Sequence, residues 1–169
     1  MRKIPAILFT ACAATFALSA CNQQEQPKDQ AAQAAPQVAA KPTNPADKTA
    51  WKQYLVSVVT ANMQGVKSNR PYMYFVPGGE DEAAVADRAN QFENVHNTVL
   101  RGVLPGNMMA FGGPDSKRTA DLIVESSKAA QDGALKGVVV LFIGTSADSD
   151  RVKEALAKSG ADYRFVEMK

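Results

Sequence analysis

The sequence predicts an α/β domain built on a mainly parallel four-stranded sheet, and three observations carry that expectation. From Thr49 onward, stretches with apolar residues three and four apart alternate with short apolar or aromatic runs, the pattern of helices alternating with strands. One run, VVVLFI over 138–143, has no polar position and hence no face for water. Such a strand belongs inside a parallel sheet covered by helices on both faces. The run-to-helix junctions are glycine-marked, at Pro77-Gly78-Gly79, Gly112-Gly113-Pro114 and Gly144-Thr145-Ser146, as tight βα turns require. The order reads α-βα-βα-βα-β, a three-layer αβα sandwich preceded by a helix, and the commonest doubly wound arrangement of four strands is 2-1-3-4.

Ahead of the domain the chain begins with Met1-Arg2-Lys3 and a small-residue apolar run to Ala20, the layout of a secretory signal peptide over residues 1–20. Leu18-Ser19-Ala20-Cys21 closes it. This stretch resembles the lipobox of bacterial lipoproteins, and the resemblance covers only residues 1–21. It implies that the Cys21 thiol receives a diacylglyceryl group, that cleavage falls before Cys21, and that the new amine is acylated. Two or three acyl chains hold a protein at a membrane durably, whereas one does not. Asn22 stands where the family's inner-membrane retention signal has Asp, which implies the periplasmic face of the outer membrane. Cys12 follows Phe9-Thr10-Ala11, which lacks the aliphatic residue of that pattern.

Residues 21–48 are rich in Gln, Ala and Pro, with Val38 the single large aliphatic side chain. A stretch that cannot bury apolar surface to offset its ordering entropy reads as a disordered tether; about 25 residues of flexible coil average on the order of 30 Å end to end.

The domain, 49–169, opens with Trp51, Tyr54, Leu55, Val58, Val59, Met63 and Val66 on one helical face, stopped by Asn69-Arg70-Pro71. Tyr72 to Val76, YMYFV, is the first strand. Glu80, Asp81 and Glu82 then suit the first turn of a second helix, whose expected inward stripe is Val85, Ala89, Phe92, Val95 or His96, Val99 and Val103. Asn107 to Phe111 is a second strand. Asp115 or Ser116 caps a third helix running to about Leu135, and Ser146 caps a fourth with Val152, Ala155 and Leu156 inward. Tyr163 to Met168, alternating with Arg164 and Glu167, reads as an edge strand.

Charge excludes some functions. Loss of residues 1–20 takes Arg2 and Lys3 from 19 bases, leaving 17 against 17 acids, so no field steers the mature chain onto nucleic acid. GxGxxG is absent, and Gly112-Gly113-Pro114-Asp115-Ser116-Lys117 lacks the glycine that a P-loop needs before its lysine. With His96 as sole histidine and Cys21 blocked by lipid, neither an ordinary zinc set, nor a Ser-His-Asp or Cys-His nucleophile, nor Cys-x-x-Cys is available. The methionines, spread over separate elements, read as core fillers. No cofactor is expected.

Ligands of open α/β sheets bind beyond the strand carboxyl ends where the winding reverses. In order 2-1-3-4 that point lies between the first and third strands. Its walls are Gly78, Gly79 and Asp81 against Gly144, Thr145 and Ser146, with Gly112, Gly113, Asp115 and Ser116 adjacent. Backbone N–H groups there suit an anion, but Glu80, Asp81, Glu82, Asp115, Asp148 and Asp150 suit a cation, an amine or a basic protein surface. The same glycines and caps equally serve turn geometry alone. The reading is therefore a membrane-anchored periplasmic lipoprotein acting as a non-enzymatic module that binds a protein or cell-wall component. The alternative is a small-molecule or cation receptor, or an unconventional hydrolase, using these loops.

Overall fold

Apolar periodicity, capping residues and glycine stops set four helices and four strands in the computed structural model, which describes residues 37–169. The signal-peptide segment, Cys21 and most of the expected tether lie outside the described residues. Residues 37–47 carry no helix or strand, yet Ala39 N–H donates to Ser57 Oγ at 2.9 Å and the Trp51 indole to the Asn44 carbonyl at 3.0 Å.

Helix α1 (Lys48–Ala61) starts where the Asp47 carboxylate accepts the Ala50 N–H, and it buries Trp51, Tyr54, Leu55, Val58 and Val59. Strand β1 (Tyr72–Phe75) follows, then α2 (Glu82–Arg101), β2 (Met108–Gly112), α3 (Ser116–Ser127), β3 (Val139–Gly144), α4 (Ser146–Leu156) with a 3₁₀ turn, and β4 (Asp162–Glu167). All pairings are parallel.

The sheet order is β1-β2-β3-β4 and not 2-1-3-4. Burial explains the difference. Every residue of β2 and β3 is buried, whereas Tyr72 and Met73 of β1 are exposed, so β2 rather than β1 takes the interior place beside β3. Gly112 permits it: a Cβ there would come within 2.4 Å of Leu55 Cδ2 and 3.3 Å of Ile143 Cβ, so α1 and β3 both close on β2 at this point.

With strands in sequence order the winding never reverses. Val95 and Val99 of α2, Ala120 and Ile123 of α3, and Val152 and Leu156 of α4 share one core with Tyr74, Met109, Phe111, Val140 and Phe142. Among the described residues, helix α1 alone covers the opposite face, packing on Met108, Ala110, Val139, Leu141 and Ile143. The alternate residues of each strand thus feed two separate cores, as the pleat dictates. Arg164 of β4 reaches across to α1, donating to the carbonyls of Asn62 at 3.0 Å and Gln64 at 2.8 Å just beyond its last turn.

Two helices differ from expectation. Phe92, Val95 and Val99 of α2 and Val103 just beyond it lie inward as expected, but in the first turns of α2 Val85 and Ala89 are exposed and Ala84 is buried instead. Ala84 takes that place because the Asp81 cap holds its N–H and so sets the phase of the first turn. Helix α3 stops at Ser127 rather than near Leu135: Ser126 and Ser127 hydroxyls bond back to carbonyls of the preceding turn. Leu135 still enters the core, its N–H donating to the Ser159 carbonyl at 2.8 Å.

Candidate functional site

A parallel βα unit turns its helix N-termini toward the carboxyl edge of the sheet, so the glycine and acid residues singled out in the sequence gather on one rim. They do not line one crevice, because β2 lies between β1 and β3 and fills the expected switch point. The rim divides into two groups.

The first is the loop after β1. Asp81 is the N-cap of α2, accepting the Ala84 N–H at 3.0 Å. Gly79 has φ +86°, which favours glycine. A Cβ on Gly78 would come within 2.9 Å of the Pro114 side chain, and one on Gly113 within 2.0 Å of the Val76 carbonyl oxygen. These glycines let the loops after β1 and β2 close on each other. A shallow cleft of about 240 Å³ remains between this loop and Pro45, Ala46 and Lys48.

The second group joins the start of α3 to the start of α4. Ser116, buried at 8% exposure, donates to Asp148 Oδ2 at 2.6 Å and accepts the Thr145 N–H at 2.8 Å. The Thr145 hydroxyl lies 3.1 Å from Ser116 Oγ and 3.2 Å from Asp148 Oδ2, its one proton shared between them. A hydroxyl has one donor and two acceptor positions, and all three on Ser116 face these partners. Arg151 grips Asp148 Oδ1 through Nε at 3.0 Å and Nη2 at 2.8 Å, and reaches Asp121 Oδ1 at 2.6 Å. Lys117 completes the chain at Asp121 Oδ2, 2.9 Å. Gly144 is required beneath it, since a Cβ there would meet the Phe142 ring at 2.2 Å and Ser116 Oγ at 2.7 Å. Ser146 is exposed and is the first residue of α4; Thr145, not Ser146, occupies the N-cap.

Burial pushes the Asp148 carboxyl up, but hydrogen bonds from Ser116 and Arg151, the Arg151 charge and Thr145 outweigh it, and its pKa is lowered. Asp121 behaves alike: burial raises it, while bonds from Lys117 and Arg151 together with their charges bring it below the ordinary value.

Three arginines therefore decide the electrostatics of the rim. Arg118 bonds to Asp115 Oδ2 at 2.9 Å and pairs closely with Glu80, and Arg88 donates to the Gly79 carbonyl at 2.7 Å and approaches Glu80 at 3.6 Å. Asp115 also caps α3 through the Arg118 N–H at 3.0 Å. Of the six carboxylates expected to attract a cation, Glu80, Asp81, Asp115 and Asp148 are held by these guanidinium groups or by helix N–H donors, while Glu82 and Asp150 stand exposed. The i,i+3 spacings Asp115/Arg118 and Asp148/Arg151 were the sequence signal for two of these pairings. Among the described residues, no group of three or more His, Cys, Asp or Glu side chains is placed to hold a metal ion. His96 stacks on Phe92 with centroids 5.5 Å apart, and its Nδ1 is buried without a hydrogen-bond partner.

A cleft that no sequence motif announced opens between α2 and α3. It measures about 380 Å³ and is lined by Val76, Phe92 and Leu122, with Arg88, Arg118, Asp121 and Glu125 contributing polar groups. Neither a protein-family model, nor a curated protein, nor a solved structure matches the chain.

Proposed function

We propose that this chain is a lipid-anchored envelope protein whose α/β domain serves as a non-enzymatic binding module at the periplasmic face of the outer membrane. The anchor is supported by the cationic start, the apolar run and the Leu18-Ser19-Ala20-Cys21 stretch. The observation that carries the module reading over the hydrolase is the closed bonding of the rim: Ser116, Thr145 and Asp148 satisfy one another and Arg151. The one carboxylate that accepts the Ser116 hydroxyl is a weakened base: its burial is outweighed by the bonds from Ser116 and Arg151, the Arg151 charge and the bond from Thr145, and its pKa is lowered.

Two measurements test this in a diderm bacterium expressing the full chain. Labelled palmitate should enter the wild-type protein and its membrane fraction, and Cys21→Ala should abolish both; wild-type protein found in the cytosol with its leader intact would overturn the anchor. Capture of a periplasmic partner at stoichiometric yield should survive Ser146→Trp, an exposed change on the rim.

A second reading, a receptor for a small molecule, has the α2/α3 cleft in its favour, since about 300–1,000 Å³ is the usual size of ligand pockets. A metabolite that copurifies with the wild type and is lost on Glu125→Trp would favour it.

A further inference from the structure

Strand β1 pairs with β2 alone among the described residues, and its polarity toward β2 fixes which backbone groups are left over. Val76 N–H donates to the Gly112 carbonyl at 2.9 Å, so by the alternation of a parallel strand the groups of Tyr72 and Tyr74 also face β2. Those of Met73 and Phe75 point away from the sheet, presenting two N–H and two C=O groups on the open side. The other outer strand, β4, carries Asp162, Arg164 and Glu167, charges of the kind that keep sheet edges from pairing. Strand β1, YMYF, carries none.

The side chains beside this edge are apolar and its flanking charges are positive. On the α1 face Met73 is 39% exposed and Lys52 Nζ lies 6.0 Å from the Phe75 ring. Val56, one helical turn beyond Lys52, is 50% exposed. On the α2 face Tyr72 is 45% exposed. Arg70 comes two residues before the strand. Asp87, on the neighbouring helix α2, is already held by Lys48 at 2.7 Å. An antiparallel pairing with β1 of a second copy would bring Lys52 of both copies together along one four-residue strip. The charge favours a different occupant.

We propose that β1 accepts an extended, carboxylate-bearing segment of a partner protein as a fifth strand, its backbone meeting Met73 and Phe75 and its acids meeting Lys52. Main-chain bonds supply affinity in such strand addition and the flanking groups supply selectivity. The proposal rests on the binding-module reading but is tested with defined peptides, so that either can fail without the other.

The probe is a capped heptapeptide alternating valine and glutamate, offered to the full chain in detergent and compared with its valine-lysine counterpart. In the free chain the Met73 and Phe75 amides should exchange hydrogen quickly and those of Tyr74 and Val76 slowly; the glutamate peptide should protect the first pair. It should bind about fivefold more tightly than the lysine peptide at low salt, a preference that fades as salt rises. Met73→Pro removes an outward N–H without touching the β1–β2 ladder and should abolish binding. Met73→Glu, which leaves the backbone intact, should invert the preference between the peptides. Slow Met73 and Phe75 exchange in the free chain, protection elsewhere, or binding of neither peptide would overturn the proposal. Loss of partner capture with these peptide results intact would instead count against the module reading.

Discussion

Ser116 concentrates the energetics of the rim because one small side chain satisfies a carboxylate, a backbone amide and a second hydroxyl at once. Replacing it with alanine leaves the Thr145 N–H and one Asp148 oxygen without that partner. The expected cost is about 1–3 kcal/mol of folding free energy, read as a lower urea midpoint with unchanged slope. Asp148 and Asp121 make the same region sensitive to acid. Both have native pKa values below those of the unfolded chain, so their contribution is complete above the unfolded value of about 3.9 and disappears as pH falls through the lower native one. Denaturation midpoints taken from pH 7 down to pH 2 should therefore fall in the wild type. Asp148→Asn should be less stable at pH 7 and should lose less on acidification; a wild-type curve parallel to that of Asp148→Asn would refute the assignment.

At the scale of elements, α1 is held from both ends by side chains rather than by neighbouring helices. Asp47 caps its start, and Arg164 donates to the Asn62 and Gln64 carbonyls beyond its end, where a cation also complements the helix dipole. Arg164→Ala should destabilise the domain by about 1.5–3 kcal/mol, as loss of charged hydrogen bonds does, measured by urea unfolding. Protection of α1 amides should fall more than that of α3. The sequence placed Arg164 on an edge strand, which is where it lies; that its guanidinium serves a helix some hundred positions earlier follows from β4 pairing with β3 under α1.

At the scale of the whole molecule, the α/β class, the four parallel strands and the leading helix were legible from period and punctuation. Strand order was not. A run such as VVVLFIG states that it is interior, but β2's shorter MMAFG states it too, and the rule of commonest topology chose β1 for the place that burial gives to β2. The rim's acids and caps were likewise visible as residue types. Their engagement was not, because Arg118–Glu80 and Arg151–Asp121 join positions 38 and 30 residues apart that only the packed helices bring together.

Three helices on one face and one on the other make the two cores unequal in their response to mechanical load. A pull on Gln37 would load first the Ala39 bond to Ser57 and then Asn44, Trp51 and Asp47, at the amino end of the α1 layer. Such a pull is expected to separate α1 from Met108, Leu141 and Ile143, up to the Arg164 bonds beyond its far end, before it disturbs the three-helix layer. A pull along β4 loads the parallel ladder it shares with β3 instead, so α1 is expected to yield before the sheet.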